Sequence, residues 1–295
     1  YSNINVYSPL IFLFSQSPFM KKMYLCKIRF SRLNTFSVLK NGKNMQDANY
    51  KMMKTNKQLI GIDLFAGAGG LSLGAEMAGI SMRYAVEADA YAAASYKRNF
   101  KNATVFCEDI RKLSADKLNT QPVFIIMGGP PCQGFSLSNT KTRDMSNPNN
   151  RMFEEFLRFV DKIAPTWFVF ENVYGLIKFK NGEENIQNHI ENRFRDIGYT
   201  VKSKILYASD FGVPQRRNRL FIVGNRNGID FEFPKEFDYS VSVDEAISDL
   251  PVLGNGEIQM KGEYTVPFEQ ASPYAQLMRK KSKAPTQNIV SRNSC

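Results

Sequence analysis

Short apolar segments alternate with segments of helical length between residues 59 and 225. The apolar segments lie at 59–64, 82–87, 104–106, 123–127, 167–171, 200–207 and 219–224. The segments of helical length include 70–79, 89–99, 150–163 and 184–197. Strands that alternate with helices of this length form a parallel sheet with helices packed on it. The sequence therefore predicts an α/β domain with a mostly parallel central sheet over residues 58–225, followed by turns and short segments.

The first 57 residues differ in composition from the rest of the chain. They carry ten basic residues and one acidic residue, whereas residues 58–295 carry 29 basic and 27 acidic residues. The net charge of +11 therefore lies mostly in this first segment. Because residues 1–57 show no sustained helix or strand period, we expect a poorly structured basic extension that is not native to the protein. A basic arm that binds nucleic acid is the alternative.

The cysteine and histidine content argues against a metal site. Four cysteines, Cys26, Cys107, Cys132 and Cys295, are scattered along the chain, and the single histidine is His189. His189 lies in a polar stretch, which predicts a solvated helix residue, and we expect no bound metal. A free reactive cysteine suits a reducing compartment, so the sequence favours a cytoplasmic location.

A glycine-rich segment, 63–70 (Asp-Leu-Phe-Ala-Gly-Ala-Gly-Gly), connects the first predicted strand to the first predicted helix. Glycines let the backbone approach a ligand, and such a turn suits a dinucleotide or a nucleoside cofactor. Its Phe-x-Gly-x-Gly-Gly register favours a nucleoside without a pyrophosphate, such as S-adenosylmethionine. Glu87 and Asp109 end the next two predicted strands at the same edge, where they could bind a ribose and an adenine amino group. Each could instead be an exposed loop residue or a helix N-cap.

Residues 128–136 read Gly-Gly-Pro-Pro-Cys-Gln-Gly-Phe-Ser and follow the apolar segment 123–127. Prolines fix φ and hold such a loop open, and loops after parallel strands carry the ligands and chemistry of α/β enzymes. A thiolate is a strong nucleophile. This setting favours Cys132 as a nucleophile, although a lone cysteine is more often a small buried hydrophobic residue.

A carboxylate and a group of arginines follow later in the chain. Glu171 ends an apolar strand, and apolar surroundings allow a carboxylic acid to hold a proton near neutral pH. Residues 215–219 (Gln-Arg-Arg-Asn-Arg) directly precede the apolar segment 220–223. Arginines at that point could bind an anion or hold the carboxylate in place.

Together these motifs resemble those of the bacterial-type DNA (cytosine-5)-methyltransferase family. The motifs stand in the family's order and spacing: residues 63–70, Glu87, Asp109, residues 131–136, Glu171-Asn172-Val173 and Gln215-x-Arg217-x-Arg219. The resemblance covers about residues 58–225 and weakens toward residue 279. It implies a Rossmann-like S-adenosylmethionine-dependent methyltransferase fold, followed by the start of a small target-recognition region over residues 226–295.

The resemblance also implies a role for each matching residue. Cys132 would attack C6 of a cytosine flipped out of DNA, Glu171 would contact N3, and Arg217 would touch the base. Arg219 would help to position Glu171 or the Cys132 loop. The implied cofactor-binding residues are Asp63, Phe65, Gly67, Gly69, Gly70, Glu87, Asp109, Ile110 and Pro130. The implied substrate-binding residues are Gln133, Ser136 and Asn172.

The chain departs from the family's pattern after Arg219. The family continues through a variable target-recognition region to two further motifs, which this chain lacks before it ends at Cys295. We therefore expect a fragment of a gene or a gene cut by a frameshift. On that interpretation residues 226–295 form an incomplete target-recognition region, and the chain alone has little methylation activity and marginal stability.

Three other functions remain open from the sequence. A nicotinamide-dependent oxidoreductase would use a similar sheet, but it would leave Cys132 and Glu171 unexplained. A tRNA cytosine-5 methyltransferase of the same family is the second. An inactive remnant that still binds cofactor or nucleic acid is the third.

The resemblance implies several partners. Double-stranded DNA is the expected substrate, and a restriction-modification system with a cognate endonuclease encoded nearby is the expected setting. We expect a monomer. We expect no membrane association, because the apolar segment 9–14 is far shorter than the about 20 residues that span a bilayer.

Overall fold

A seven-stranded sheet runs through the larger of two units in the computed structural model. The structure describes residues 58–118, 122–131, 152–178, 180–181, 184–257 and 262–281. The larger unit contains the described residues up to 206 together with 218–235, and the smaller unit contains 207–217 and the described residues from 236 onward. The strands are β1 (Leu59–Leu64), β2 (Ile80–Val86), β3 (Thr104–Phe106), β4 (Ile125–Gly128), β5 (Trp167–Val173), β6 (Lys180–Asn181), β7 (Glu184–Asn185), β8 (Thr200–Tyr207) and β9 (Asn218–Asn225).

The strand order creates a ligand-binding position at one edge of the sheet. The order is β3-β2-β1-β4-β5-β9-β8, and β6 and β7 form a separate two-stranded sheet. The pairs β1–β2, β1–β4, β2–β3 and β4–β5 are parallel, whereas β9 runs antiparallel to β5. Successive strands are therefore added toward one edge of the sheet from β1 to β3 and toward the other edge from β4 onward, so the strand order reverses between β1 and β4. In open α/β sheets, ligands bind outside the carboxyl ends of the strands at such a point.

The described α-helices are α1 (Gly70–Met77), α2 (Ala90–Asn99), α3 (Met152–Ile163), α4 (Ile186–Asp196), α5 (Val243–Ile247) and α6 (Pro273–Lys281). Short polar side chains cap the N-termini of two helices in the larger unit. The Asp89 carboxylate accepts a hydrogen bond from the Ala92 N–H at the start of α2, and the Asn185 side chain accepts one from the Gln187 N–H at the start of α4. Such caps satisfy backbone donors that the helix itself leaves unpaired.

A cluster of phenylalanine rings holds α3 and α4 against the sheet. Phe156 of α3 makes edge contacts with Phe168, Phe170 and Phe194, with ring centroids 5.4–6.4 Å apart. Phe168 of β5 and Phe194 of α4 stack with centroids 4.0 Å apart. All four rings are fully buried. Edge-on and stacked aromatic pairs add to the free energy gained from burial, and they fix β5 as the rigid strand that leads to Glu171.

The predicted α/β class with a mostly parallel sheet is confirmed, and the predicted strands 104–106 and 200–207 match β3 and β8. The prediction for His189 needs a correction. His189 lies on α4, as expected, but its ring is half-buried and meets Phe153 edge-on, with centroids 5.9 Å apart. The polar neighbours in the sequence concealed this contact, because α4 turns that position toward α3.

The smaller unit is held together by a buried arginine. Arg279 of α6 pairs with Asp249 at 2.7 Å, donates to the Val266 carbonyl, and stacks on the Tyr264 ring at 3.7 Å. Ser242 and Glu245 form a reciprocal capping box at the start of α5. The target-recognition role expected for residues 226–295 stays a prediction, and the extension 1–57 lies outside the described residues.

Within the part of the chain that the structure describes, none of the helices combines the length and the apolar character that a membrane crossing requires.

Candidate active site

The glycine turn after β1 adopts a backbone that few residues tolerate. Phe65, Gly67 and Gly69 have φ of 59°, 55° and 97°. The side chain of Phe65 is half-buried and packs against the main hydrophobic cluster. A bulky non-glycine residue at positive φ is strained and is found mostly at functional sites. The turn therefore places Phe65 at the carboxyl edge of β1, and its Ala66 and Gly67 amides donate to the Val86 carbonyl and the Glu87 carboxylate.

Two features favour glycine at position 69: its positive φ and the lack of space for a Cβ atom beside α2. A Cβ atom at Gly69 would overlap the Phe100 ring and come within 3.0 Å of the Tyr96 ring. Both rings are buried, and their centroids are 4.5 Å apart. Gly70 then begins α1, with Gly69 as its N-cap. The Tyr96 and Phe100 rings at the C-terminal end of α2 thus pack against the turn at Gly69.

Glu87 connects the end of β2 to this turn. Its Oε2 accepts the Gly67 N–H at 2.7 Å, and its Oε1 accepts the Asp89 N–H at 2.8 Å. The carboxylate is half-buried at the same edge of the sheet as the turn. This is the position expected for a ribose-binding acid. Each carboxylate oxygen can accept a second hydrogen bond, so the contacts are compatible with that predicted role.

Asp109 is held by an arginine two residues along the chain. Arg111 Nε lies 2.9 Å from Oδ1 and 3.0 Å from Oδ2 of Asp109. Hydrogen bonds from the Arg111 side chain and backbone lower the pKa of Asp109 to about 2. Asp109 also caps the short 3₁₀-helix Ile110–Lys112. Asp109 therefore acts as an N-cap, and its contact with adenine stays a prediction.

A second arginine fixes the segment that contains Ile110. Arg158 of α3 donates to the Ile110 carbonyl at 2.9 Å and to the Leu113 carbonyl at 3.2 Å, and it pairs with Glu155. Ile110 is 4% exposed. The helix that follows the Cys132 loop in the chain therefore also holds the segment after β3.

Glu171 and Arg219 form an ion pair at the carboxyl end of β5. Arg219 Nε lies 2.9 Å from Glu171 Oε1, and the two side chains are 20% and 14% exposed. Antiparallel pairing brings them together, because β9 enters the sheet beside the end of β5, with Arg219 opposite Val173. The expected positioning of Glu171 by Arg219 agrees with this geometry.

The root of the Cys132 loop lies against the same carboxylate. A Cβ atom at Gly129 would be 2.8 Å from Glu171 Oε2. Asn172, which is 3% exposed, donates from Nδ2 to the Pro130 carbonyl at 3.1 Å. The chain thus leaves β4 in direct contact with Glu171 and Asn172. Pro130 is buried, and its predicted cofactor contact and the predicted substrate contact of Asn172 stay predictions.

Four predicted site residues lie outside the described residues or outside the larger unit. Cys132, Gln133 and Ser136 lie outside the described residues. Arg217 belongs to the smaller unit, where it is half-buried and its carbonyl accepts the Ala208 N–H at 2.8 Å. Their roles stay predictions.

Sequence reasoning missed several residues that shape the site. They are Ser72, Tyr96, Arg111, Gly129 and Arg158. The paired glycines before Pro130 were a signal that backbone passes close to another group. The other four carried no such signal. Ser72, Tyr96 and Arg158 contact residues on other elements, and an arginine two residues after an aspartate is too common a pattern to indicate a contact.

Comparison with known proteins agrees with this geometry. The family model for C-5 cytosine-specific DNA methylases matches residues 59–289. The chain is 39% identical over 244 residues to a Type II methyltransferase, M.DdeI, of Desulfomicrobium norvegicum, covering 79% of this chain and 58% of the relative. It is 40% identical over 203 residues to M1.HphI of Haemophilus parahaemolyticus, covering 66% of this chain and 54% of the relative. The chain thus spans somewhat more than half the length of these relatives.

Solved structures give the same result. A prophage-encoded protein from E. coli, assigned as a DNA modification methyltransferase, superposes with a TM-score of 0.60 at 32% identity, covering 71% of this chain and 61% of that chain. The DNMT2 protein of Spodoptera frugiperda shares the fold, with a TM-score of 0.53 at 21% identity over 69% of this chain and 62% of its own. The Rossmann-like fold is therefore confirmed, and the chain belongs to the family of C-5 cytosine-specific DNA methylases.

Proposed function

We propose that this chain contains the catalytic centre of a DNA (cytosine-5)-methyltransferase. It transfers a methyl group from S-adenosylmethionine to C5 of a cytosine in double-stranded DNA. The observation that carries the proposal is the Glu171–Arg219 pair, whose carboxylate lies against Gly129 at the root of the Pro-Pro-Cys loop. A nucleophilic cysteine and a carboxylate held by an arginine are the groups that addition to a cytosine ring requires.

The residues at the strand ends fit S-adenosylmethionine. The turn at positive φ is held next to the Glu87 carboxylate by the Gly67 N–H, and Asp109 follows the next strand as the N-cap of a 3₁₀-helix. Glu87 would bind the ribose hydroxyls, Asp109 the adenine amino group, and Phe65 would pack on the adenine. Asp63, Gly67, Gly69, Gly70, Ile110 and Pro130 complete the proposed cofactor-binding set. The cofactor supplies an electrophilic methyl group to this site.

Cys132 would act as the nucleophile at C6, and Glu171 would act at N3 of the same ring. C5 of cytosine is a poor nucleophile, and addition of the Cys132 thiolate to C6 makes it enamine-like. Glu171 contacts N3 and supports its protonation as negative charge develops on the ring. C5 would then take the methyl group as the methyl–sulfur bond breaks and leaves a neutral thioether. Loss of the C5 proton would expel Cys132 as a thiolate, and return of the N3 proton to Glu171 would release neutral 5-methylcytosine.

The target cytosine must leave the DNA helix to meet these groups. Neither C6 nor the face of C5 is accessible inside a stacked duplex. Arg217 would contact the flipped base, and Gln133, Ser136 and Asn172 would hold the base and its phosphate. Arg219 would keep Glu171 oriented during the reaction, since a guanidinium fork fixes a carboxylate better than a single ammonium group.

Replacement of Glu171 by glutamine should lower the methyl-transfer rate by about a hundredfold. Glutamine keeps the size of the side chain, but it cannot carry the charge or proton that the developing adduct needs. The rate is measured as transfer of a radioactive methyl group to DNA under single-turnover conditions. Glu154→Gln is the matched control, because Glu154 pairs with Arg193 at 2.6 Å on other elements of the unit. Equal rates for Glu171→Gln and the control would remove Glu171 from the mechanism.

Covalent trapping tests the whole proposal. Incubation of the chain with S-adenosylmethionine and duplex DNA containing 5-fluorocytosine should give a denaturant-resistant complex, because fluorine at C5 blocks the release of Cys132. Peptide mass spectrometry should place the modification on Cys132. Cofactor binding without any adduct would favour the inactive remnant instead, and an adduct on tRNA but not on DNA would favour a tRNA methyltransferase.

The setting is proposed from the relatives. Relatives with 39–40% identity are named Type II methyltransferases. We therefore propose a cytoplasmic, monomeric modification enzyme of a restriction-modification system, with a cognate endonuclease encoded nearby. Protection of DNA from one endonuclease after incubation with the active enzyme would test this assignment.

A further inference from the structure

A buried hydrogen-bonded chain lies beneath the glycine turn. The Ser72 hydroxyl of α1 is 2.6 Å from Asp63 Oδ2 of β1 and 2.6 Å from the Tyr96 hydroxyl of α2. Asp63 is 1% exposed, and Ser72 and Tyr96 are fully buried. These two hydrogen bonds therefore join β1, α1 and α2 next to the proposed cofactor site.

The direction of the hydrogen bonds follows from the number of protons. An ionised carboxylate only accepts, so Ser72 gives its single proton to Asp63. Tyr96 must then donate to Ser72. Among the described residues, Asp63 Oδ1 is buried without a hydrogen-bond partner. A buried carboxylate oxygen without a donor raises the free energy of the folded protein. A positive charge near this oxygen would lower the free energy of its ionised form.

We propose that Ser72 and Tyr96 are positioning residues that hold the Asp63 carboxylate in its ionised form for the cationic cofactor. This inference rests on the proposed function, because it takes S-adenosylmethionine as the ligand of the turn. The cofactor carries positive charge, so an ionised Asp63 below the turn attracts it, and a protonated Asp63 does not. Tyr96 acts through Ser72, whose hydroxyl makes the hydrogen bond to Asp63.

The surroundings of Asp63 make this charge sensitive to pH. Burial and the nearby Glu87 carboxylate raise the pKa of Asp63, hydrogen bonds from Ser72 lower it, and the result is about 7. Burial, Asp63 and Glu76 raise the pKa of Tyr96 far above its usual range, so Tyr96 keeps its proton. Cofactor affinity should therefore fall as the pH drops through about 7, because the carboxylate becomes neutral.

The same shift predicts an effect on folding with the opposite sign. A carboxyl group whose pKa is raised in the folded state binds its proton more tightly there than in the unfolded chain. The contribution of Asp63 to stability is therefore largest below its unfolded pKa of 3.8, and it is lost as the pH rises toward about 7. A bound cationic ligand should restore part of this loss above pH 7.

The test measures cofactor affinity against pH for the full chain and its Tyr96→Phe variant. Isothermal titration with S-adenosylmethionine, and with S-adenosylhomocysteine, would run from pH 5.5 to 9. Loss of the Tyr96 donor should move the midpoint of the pH profile upward by about 0.7 unit. Affinity at pH 7 should then be about threefold weaker, while affinity at pH 9 should match that of the unchanged chain. Ser72→Ala should move the midpoint further.

Tyr199→Phe is the matched control, because Tyr199 is a buried tyrosine whose hydroxyl donates to the Pro165 carbonyl elsewhere in the unit. It should leave the midpoint unchanged. An equal loss of affinity at every pH in Tyr96→Phe, or an unmoved midpoint, would overturn the proposal. Infrared titration of the Asp63 carboxyl in the ligand-free chain gives a second readout. If the unchanged chain binds no cofactor at any pH, the proposed function fails, whereas the infrared midpoint still decides the role of Tyr96.

Discussion

Replacement of Cys132 by serine should reduce methyl transfer to DNA by about 10⁴-fold or more. A serine hydroxyl is almost entirely protonated at neutral pH, so it cannot add to C6 as a thiolate does. The described residues around the loop root stay unchanged in this variant, because Asn172 still holds the Pro130 carbonyl and Gly129 still lies against Glu171. The measurement is single-turnover transfer of a radioactive methyl group, together with the 5-fluorocytosine adduct.

Cys107→Ser provides the matched control for this prediction. Cys107 is an exposed free cysteine just after β3, so its replacement should change neither the rate nor the adduct. Cofactor affinity should be the same in both variants, which separates a chemical defect from a folding defect. A Cys132→Ser variant that methylates DNA at the unchanged rate would exclude the covalent mechanism.

Replacement of Gly69 by alanine should destabilise the larger unit by about 4 kcal/mol. Two costs add at this position: left-handed backbone at a non-glycine residue, and overlap of the new Cβ with the Phe100 ring, each about 1–3 kcal/mol. Since the turn must move to relieve the overlap, cofactor binding should weaken as well. The free energy of unfolding from urea denaturation and the cofactor affinity from titration calorimetry are the two measurements.

Gly79→Ala separates the two costs. Gly79 has φ of 82°, but a Cβ atom there would have no neighbour within 4 Å. Only the backbone cost of about 1–2 kcal/mol is therefore expected, with no loss of cofactor affinity. Equal destabilisation by the two substitutions would show that the Phe100 and Tyr96 rings do not constrain the turn.

Local patterns were sufficient to predict the sheet. Strand and helix periods depend on residues close together in the chain, and they located the seven strands of the main sheet with differences only at their ends. The two-residue strands β6 and β7 were not predicted, because they are too short to show a period. Parallel strands also bring their carboxyl ends to one edge, so the prediction that Glu87 and the glycine turn lie together followed without knowledge of the tertiary structure. The Gly67–Glu87 hydrogen bond agrees with that prediction.

The partners of the acidic residues could not be predicted in the same way. The sequence indicated that an arginine within 215–219 could hold the Glu171 carboxylate, and the family resemblance pointed to Arg219. The contact itself depends on β9 running antiparallel to β5. Arg158 reaches the Ile110 carbonyl from a helix 48 residues away in the chain. Such contacts depend on how elements pack, and no short-range period in the sequence reports packing between distant elements.

The sequence by itself determined the fold class, the order of the motifs and the family resemblance, because each depends on residue type and local spacing. Only the tertiary structure decided what surrounds each charge. It placed Arg219 at Glu171, Arg111 at Asp109, and the Ser72–Tyr96 chain at Asp63. The physical reason is that the charge state of a carboxyl group depends on burial and on donors within hydrogen-bond distance, and both are set by packing in three dimensions.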